Sequence, residues 1–395
     1  MKNEITSLMD RYDEFMQADM PYRKFSYEDF CNKESALCSR GIFSVYGRGM
    51  SYEQREIKAL KYGHGNIKVL AWSQMHGNEP ISTLALLDAI NYLETNDNLS
   101  DVIANKITLV VIPLLNPDGH IIFDRRNAQG IDINRDARSL VSPEAKMLSE
   151  ICNRLMPKYA LNIHDQELYY TVGKNGQPTL VSMLAPQCDT LDTISEARAR
   201  SMKLIDAIAH CIEPIAHNRV AKYNDVYTPT AFGDTFMRKG VSSVLIEAGA
   251  ERGDIQRNIS RKAVCMSILS ALAVIAGEMQ DGTQEGYESL PDNCRYNAFD
   301  LMLRGLKVIG ETGEYTVDIG IRRIKPSYNP EDFTDDFDDY RIMNIGDLAD
   351  FGAIIEYNAE GCNLVGSYTV LRIGHKANFD IIDKNGKVFN VSSLL

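Results

Sequence analysis

At 395 residues and 44% apolar content, the chain is long enough for one large domain plus a smaller one, each with its own core. Its 54 acidic against 42 basic residues leave a formal charge of −12, which argues against a nucleic-acid surface, and its eight cysteines contain no C-x-x-C pair, which fits free thiols in a reducing compartment. The first twenty residues are acid-rich and lack a signal peptide's basic start and apolar run, and no stretch reaches the ~18 apolar residues of a membrane span, residues 269–277 being the nearest. A soluble, cytoplasmic protein without a nucleic-acid or membrane partner is expected.

Residues 1–40 carry Ile5, Leu8, Met9, Tyr12 and Phe15 at helical spacing, which predicts an amphipathic packing helix followed by a polar connection. Residues 42–45 and 55–62 alternate as two strands around a Gly47-Arg48-Gly49 turn, and 67–72 is a short buried strand. That strand runs into Met75-His76-Gly77-Asn78-Glu79-Pro80, where Pro80 suits the first turn of a helix reaching about Leu93. Leu84, Leu86, Leu87, Ile90 and Leu93 give this helix a packed inner side. Residues 107–115 are apolar nearly throughout, as in a strand covered on both faces, and stop at the turn Asn116-Pro117-Asp118-Gly119. Ser142 suits the cap of a helix over 143–156, and the next strand, 159–163, ends at His164. A strand over 179–184, a long helix over 194–212, a strand over 241–246 ending at Glu247, and a helix over 261–279 follow.

Apolar runs that alternate with helices and deliver polar groups at their carboxyl ends form an α/β pattern. In open α/β sheets ligands sit outside those ends, so His76, Glu79, His164 and Glu247 are candidates to converge there. The expected organisation is a helical extension over 1–40, a mixed, largely parallel sheet flanked by helices over 41–282, a linker over 283–295, and a small β-rich carboxyl-terminal domain over 296–395. In that last part, strands are expected at 315–322, 352–357, 367–373, 379–383 and 388–391, with an Asn385-Gly386 hairpin signal before the final one. The acidic stretch 331–339 lacks the spacing of an EF-hand loop and reads as solvated.

A histidine and a glutamate three residues apart, just after a strand, can aim an imidazole nitrogen and a carboxylate oxygen at one ion, a donor pair that suits Zn²⁺. In chain order, His76-x-x-Glu79, Asn116-Pro117-Asp118-Gly119, Arg125-Arg126-Asn127, Gly130-Ile131-Asp132-Ile133-Asn134-Arg135, His164 and Glu247 together resemble the carboxypeptidase A-like zinc metallocarboxypeptidases. The likeness covers roughly residues 40–280. Asp136, where many members have a second asparagine, and the short spacing from Glu79 to His164 point to a bacterial-type branch rather than the digestive one.

The resemblance implies a zinc carboxypeptidase-like fold and one Zn²⁺ per chain held by His76, Glu79 and His164, with a fourth position for a water whose pKa falls towards ~7. It makes Glu247 the general base and Arg125, with Arg126 as its rival, the cation that polarises the scissile carbonyl. Asn134 and Arg135 would hold the substrate's terminal carboxylate, unless Arg135 is spent on an ion pair with Asp132 or Asp136. Tyr227, or else Tyr223, matches a tyrosine on a mobile loop, and Phe232, Asp234 and Thr235 stand where the specificity wall lies, an acidic wall favouring basic termini. Asp165 is either an exposed neighbour or a hydrogen-bond partner behind the ligands.

The implied activity is hydrolysis of a carboxyl-terminal peptide or peptide-like amide bond through a zinc-bound water, on a substrate with a free carboxylate, cell-wall fragments included. One alternative is a zinc deacylase of N-acyl amino acids similar to succinylglutamate desuccinylase and aspartoacylase, which share a His-Gly-x-Glu start, an Asn-Arg pair and a β-rich carboxyl-terminal part. The other is a non-catalytic binding protein with a zinc site. The place of Glu247 just after the 241–246 run favours the peptidase.

Overall fold

The computed structural model describes residues 2–20, 25–95, 97–166, 169–174, 177–251, 254, 256–295, 298–323 and 339–395. The chain divides into two compact units, the first formed by residues 1–167 and 180–292, the second by 168–179 and 293–395.

The first unit opens with two helices rather than one, α1 (Lys2–Asp10) and α2 (Tyr27–Ser39). Ser26 starts α2 through a reciprocal cap with Asp29. Then follow β1 (Ser44–Met50), β2 (Glu56–Tyr62), β3 (Ile67–Ser73), α3 (Pro80–Leu93), α4 (Asn98–Lys106), β4 (Ile107–Ile112), α5 (Pro117–Ile121), α6 (Pro143–Leu155) and β5 (Tyr159–Asp165). Strand β6 (Tyr170–Val172) belongs to the second unit. The first resumes with β7 (Val181–Leu184), α7 (Glu196–Ala216), β8 (Val220–Lys222), α8 (Phe232–Arg238), β9 (Ser242–Ala248), α9 (Asn258–Ala276) and α10 (Gln284–Ser289).

Its eight strands form one mixed sheet in the order β1-β2-β4-β3-β5-β9-β7-β8. The central strands β4, β3, β5 and β9 are parallel, whereas β1 pairs β2, β2 pairs β4 and β7 pairs β9 antiparallel, and the edge strand β8 runs parallel to β7. Because strand side chains alternate, the two faces carry different cores. Val69, Ala71, Leu161, Ile163, Val244 and Ile246 pack with α3, α7 and α9, while Leu70, Trp72 and Ala160 pack with Leu148, Ile151, Phe232 and Phe236. Helix α9 is long and apolar enough to cross a membrane by length and composition, but 83% of that window is buried, as expected of a core helix. The sheet register sets Ser73 beside Ile163 and His164 beside Glu247, so the carboxyl ends of β3, β5 and β9 finish together.

Two expectations are corrected. Gly47 and Gly49 lie inside β1, not in a turn, and the chain reverses at 51–55, where Ser51 N donates to Arg55 O. A Cβ on Gly47 would stand 2.7 Å from Ile151 Cδ1, and one on Gly49 2.5 Å from Met147 Sδ, so these glycines admit α6 against the strand. Likewise residues 283–295 are not simply a linker: they form α10, whose Tyr287 is fully buried, and β10 (Asn293–Arg295) of the second unit. A Cβ on Gly286 would meet the Asp206 carboxylate at 2.3 Å, so this glycine too marks close packing.

In the second unit β6 pairs antiparallel with β10. A seven-stranded sheet is built from β11 (Ala298–Gly310), β12 (Gly313–Arg323), β13 (Tyr340–Gly346), β14 (Gly352–Asn358), β15 (Asn363–Leu364), β16 (Asp380–Ile382) and β17 (Val388–Asn390), around Leu301, Leu303, Leu306, Ile319, Ile321 and Ile342. The expected final hairpin joins β16 to β17, with the Asp383 carboxylate accepting from the Asn385 and Lys387 amides. Residues 367–373 hold a 3-10 turn, Tyr368–Val370, instead of a strand, because the Ser367 hydroxyl captures the Thr369 amide. Residues 331–338 of the acidic stretch lie outside the described residues; Asp339 pairs with Arg341.

Candidate active site

Strand β3 ends at Ser73, and the chain swings through Gln74 and Met75 to bring His76 and Glu79 to the carboxyl edge of the sheet before Pro80 opens α3. The Asp165 carboxylate, at the end of β5, accepts from Ile81 N at 2.8 Å and Ser82 N at 2.7 Å, which satisfies the free amides at the start of α3 and ties it to the strand that carries His164. Asp165 is buried, so it is the hydrogen-bond partner and not the exposed neighbour. A Cβ on Gly77 would lie 1.9 Å from the Gly119 carbonyl carbon. The metal turn therefore rests on the Asn116-Pro117-Asp118-Gly119 stretch, where Asn116 Oδ1 accepts from Gly119 N and Asn116 Nδ2 donates to Met75 O. Asp118 accepts from the Ser51 hydroxyl and the Glu53 amide and so holds the β1–β2 connection.

Three side chains converge. His76 Nδ1 is 2.7 Å from Glu79 Oε1 and His164 Nδ1 is 2.7 Å from Glu79 Oε2, all three residues are buried, and one ligand atom from each lies within 4.8 Å of the others. Two imidazoles and one carboxylate, with a position left open, are the donor set of a catalytic zinc, so these residues fit the ion. Asp132 Oδ1 stands 3.1 Å from His76 Nε2, which fixes that ring and leaves Nδ1 turned to Glu79. Sequence reasoning considered Asp132 only as an ion-pair partner of Arg135; its place within the Gly130 to Arg135 motif was the available signal.

Glu247 sits beside His164 in the β5–β9 register and is buried, and its Oε2 has no hydrogen-bond partner among the described residues. Burial pushes its pKa well above the usual carboxylate range, and the negative charges of Glu79 and Asp165 push it further. Burial also raises Asp165, to about 7. Glu79 moves the other way: burial alone would raise it, but the two imidazoles hold it low. His164 is lowered by burial, while His76, against the same burial, is raised by Glu79 and Asp132.

Arg125 reaches this cluster from a side chain 44% exposed, its Nε donating to Asp132 Oδ2 at 3.0 Å and its Nη1 lying 3.6 Å from Glu79 Oε1. Arg126 turns back into its own loop and donates to Gly130 O at 2.9 Å. Asn134 Oδ1 accepts from Phe232 N at 3.1 Å and so links the 132–137 segment to α8. Arg135 is exposed and donates to Asn134 O; among the described residues it forms no ion pair with Asp132, which serves His76 and Arg125, or with Asp136, which accepts from the Val141 and Ser142 amides. Tyr227 and Tyr223 are both half-buried on the 223–231 segment. Asp225 of that segment is clamped to Arg198 of α7. Asp234 is buried, accepts from Thr228 N at 2.9 Å, and is pushed up to about 6 by burial. Phe232 is wholly buried edge-on against Phe236, and the Thr235 hydroxyl donates to Pro229 O.

Residues 28–178 match the zinc carboxypeptidase family. A probable carboxypeptidase 2 of Arthroderma benhamiae is 27% identical over 208 residues, 51% of this chain and 37% of that protein. Carboxypeptidase SOL1 of Arabidopsis thaliana is 40% identical over 116 residues, 27% of this chain and 22% of its own length. The chain thus spans well under half the length of these curated relatives. A metallo-carboxypeptidase of Pseudomonas aeruginosa superimposes with a TM-score of 0.53 at 19% identity, covering 65% of this chain and 70% of that one. One of Burkholderia cenocepacia gives 0.53 at 18% identity, with 64% and 70% covered, and at such identities both speak for the fold alone. Residues 28–178 thus match the zinc carboxypeptidase family, the fold is that of the solved metallo-carboxypeptidases, and His76, Glu79 and His164 converge at the carboxyl edge of the sheet.

Proposed function

We propose that this chain is a zinc metallocarboxypeptidase that hydrolyses the carboxyl-terminal peptide, or peptide-like amide, bond of a substrate with a free carboxylate. The observation that carries the proposal is the approach of two buried imidazole nitrogens to the two oxygens of Glu79, with Glu247, whose Oε2 has no hydrogen-bond partner among the described residues, on the adjoining strand. Zinc bound by His76, Glu79 and His164 would supply Lewis acidity and lower the pKa of a water towards ~7.

The remaining work falls to the chain's own side chains. Glu247 takes the water proton and passes it to the leaving amine, a task suited to a buried carboxylate whose pKa is held above the ordinary range. Arg125, fixed by Asp132 but still open to solvent, donates to the carbonyl oxygen as negative charge develops there. Asn134 and the exposed guanidinium of Arg135 bind the terminal carboxylate, and Tyr227 covers the substrate from the 223–231 segment. The Pseudomonas aeruginosa enzyme was solved with (2-guanidinoethylmercapto)succinic acid. A ligand of that kind supports carboxylate recognition here, and the buried Asp234 favours substrates with basic ends.

The test joins metal analysis to a peptide-library digest of wild type and Glu247→Gln. Zinc near one per chain, release of a carboxyl-terminal residue, and loss of that release in the variant are expected. Wild-type turnover in the variant rejects Glu247 as the base. Turnover of N-acyl aspartate or glutamate without any peptide cleavage replaces the peptidase with a deacylase.

A further inference from the structure

Between β3 and His76 stands a residue that the proposed chemistry does not use. Gln74 is fully buried, and its backbone lies in the left-handed region at φ +47°, a conformation that costs a non-glycine residue about 1 kcal/mol or more. Its carboxamide accounts for that choice, because every hydrogen-bonding group on it is engaged. Nε2 donates to Gly77 O at 2.9 Å and to His120 Nδ1 at 2.8 Å, and Oε1 accepts from the Thr83 hydroxyl at 2.7 Å. The amide cannot be turned over, since that would set its oxygen against the Gly77 carbonyl. Thr83 Oγ1 also stands 2.8 Å from Pro113 O, which accepts from Ser73 Oγ at 2.6 Å, so the Thr83 hydroxyl ties Gln74 to the end of the neighbouring strand's connection.

The bonds continue outward. With Nδ1 accepting, the His120 proton sits on Nε2, which donates to Phe25 O at 3.1 Å, and burial holds this imidazole's pKa down at about 4, so it stays neutral. The Phe25 ring stacks on it with centroids 4.5 Å apart. Phe25 lies just ahead of α2 and before residue 28, where the family match begins. A hydrogen-bonded path therefore runs from the amino-terminal segment through His120 and Gln74 to Gly77, next to His76, and to Thr83, one turn along α3 from Glu79.

We propose that Gln74 is the positioning residue of the metal turn, holding Gly77 and Thr83 at the spacing that sets His76 against Glu79, and that the amino-terminal segment braces it through His120. The inference rests on the zinc reading of the site. Its test uses the full chain, wild type beside Gln74→Leu and His120→Phe, stripped of metal and titrated with Zn²⁺ against a chromophoric chelator and with Co²⁺ for its visible spectrum. Far-UV circular dichroism checks folding. Gln74→Leu removes the carboxamide and its bonds while leaving an apolar side chain in the buried position, and is expected to bind Zn²⁺ ~10- to 100-fold more weakly, with an altered Co²⁺ spectrum. His120→Phe keeps a stacking ring and loses less, and the double variant is no worse than Gln74→Leu, as for residues in one network. A folded Gln74→Leu with wild-type affinity and spectrum overturns the inference and leaves the zinc site standing. A wild type that binds neither metal overturns the zinc reading and the inference with it. Should Gln74→Leu fail to fold, His120→Phe decides, and an unchanged spectrum there removes the brace.

Discussion

Two of the buried ionic clusters in the first unit are built on opposite terms. In one, Asp88 of α3 is completely buried, its Oδ1 accepting from Gln17 N at 2.7 Å and Arg261 Nη2 at 2.6 Å, its Oδ2 from Arg261 Nε at 2.7 Å and from the Tyr12 hydroxyl. Arg261 goes on to donate to Gln17 O and Met20 O. In the other, around His76, Glu79 and His164, the outer nitrogen of His164 and one oxygen of Glu247 have no partner among the described residues, and Arg125 remains 44% exposed. The first cluster spends its hydrogen-bonding capacity inside the protein and fastens the amino-terminal helices to α3 and α9. The second keeps capacity in reserve, which is what a site for a metal and a substrate requires and what a purely structural cluster would not tolerate.

Substitutions should separate the two kinds. Glu247→Gln removes a proton acceptor and nothing else of size, so peptide turnover should fall by ~10²- to 10⁴-fold while thermal stability is kept or rises. A parallel loss of stability would place Glu247 with the structural cluster instead. Asp88→Ala should do the reverse. It strands the Arg261 guanidinium in the core, and urea unfolding should show a loss of about 3–5 kcal/mol, partly recovered when Arg261→Met is added. A loss under about 1 kcal/mol would mean that water reaches the pair. Arg125→Ala is the intermediate case: kcat should fall by roughly 10²- to 10³-fold with little change in stability, since its side chain is half in solvent. If only KM rises, Arg125 serves binding and not the developing charge.

How much of this could be read from residues alone differs between the clusters. His76, Glu79, His164 and Glu247 each follow a short apolar run, and a run that long and that apolar announces a central strand, so their common edge was legible before any coordinates. Gln74 and Asp88 were not, because a hydrogen bond across 46 or 173 residues leaves no local pattern, and Asp132, though inside the Gly130 to Arg135 motif, meets His76 across 56 residues. Glycine misled in both directions. Gly47, Gly49 and Gly286 read as turn or linker residues, yet each is glycine because a neighbouring side chain occupies the space of its Cβ. The long strand β11 escaped notice for a related reason: its pairing slips between Leu303 and Leu306 around Gly305, at φ +72°, which breaks the alternation that marks a strand. That 168–179 belong with the second unit has no signal in the sequence at all.

Asp234 tests the contrast at its narrowest, since it is a buried carboxylate with neither the matched guanidinium of Asp88 nor the imidazoles of Glu79. Its carboxylate accepts from the Thr228 amide, yet burial lifts its pKa from the ordinary 3.8 to about 6. A raised carboxyl pKa means that the fold disfavours the charged form. The cost is absent below pH 3.8, grows through the interval, and is complete above about 6, where it amounts to about 3 kcal/mol at most. Asparagine keeps the oxygen that accepts from Thr228 and drops the charge. Asp234→Asn should therefore unfold at higher urea than wild type at pH 7, and the advantage should shrink steadily as the pH falls from 6 to 4. Stability curves that stay parallel over that range would show that the carboxylate is already solvated. If Asp234 faces the substrate, the same variant should lose its preference for peptides with basic ends while gaining stability, and that exchange of stability for selectivity is the mark of a residue on the reserved side of the comparison.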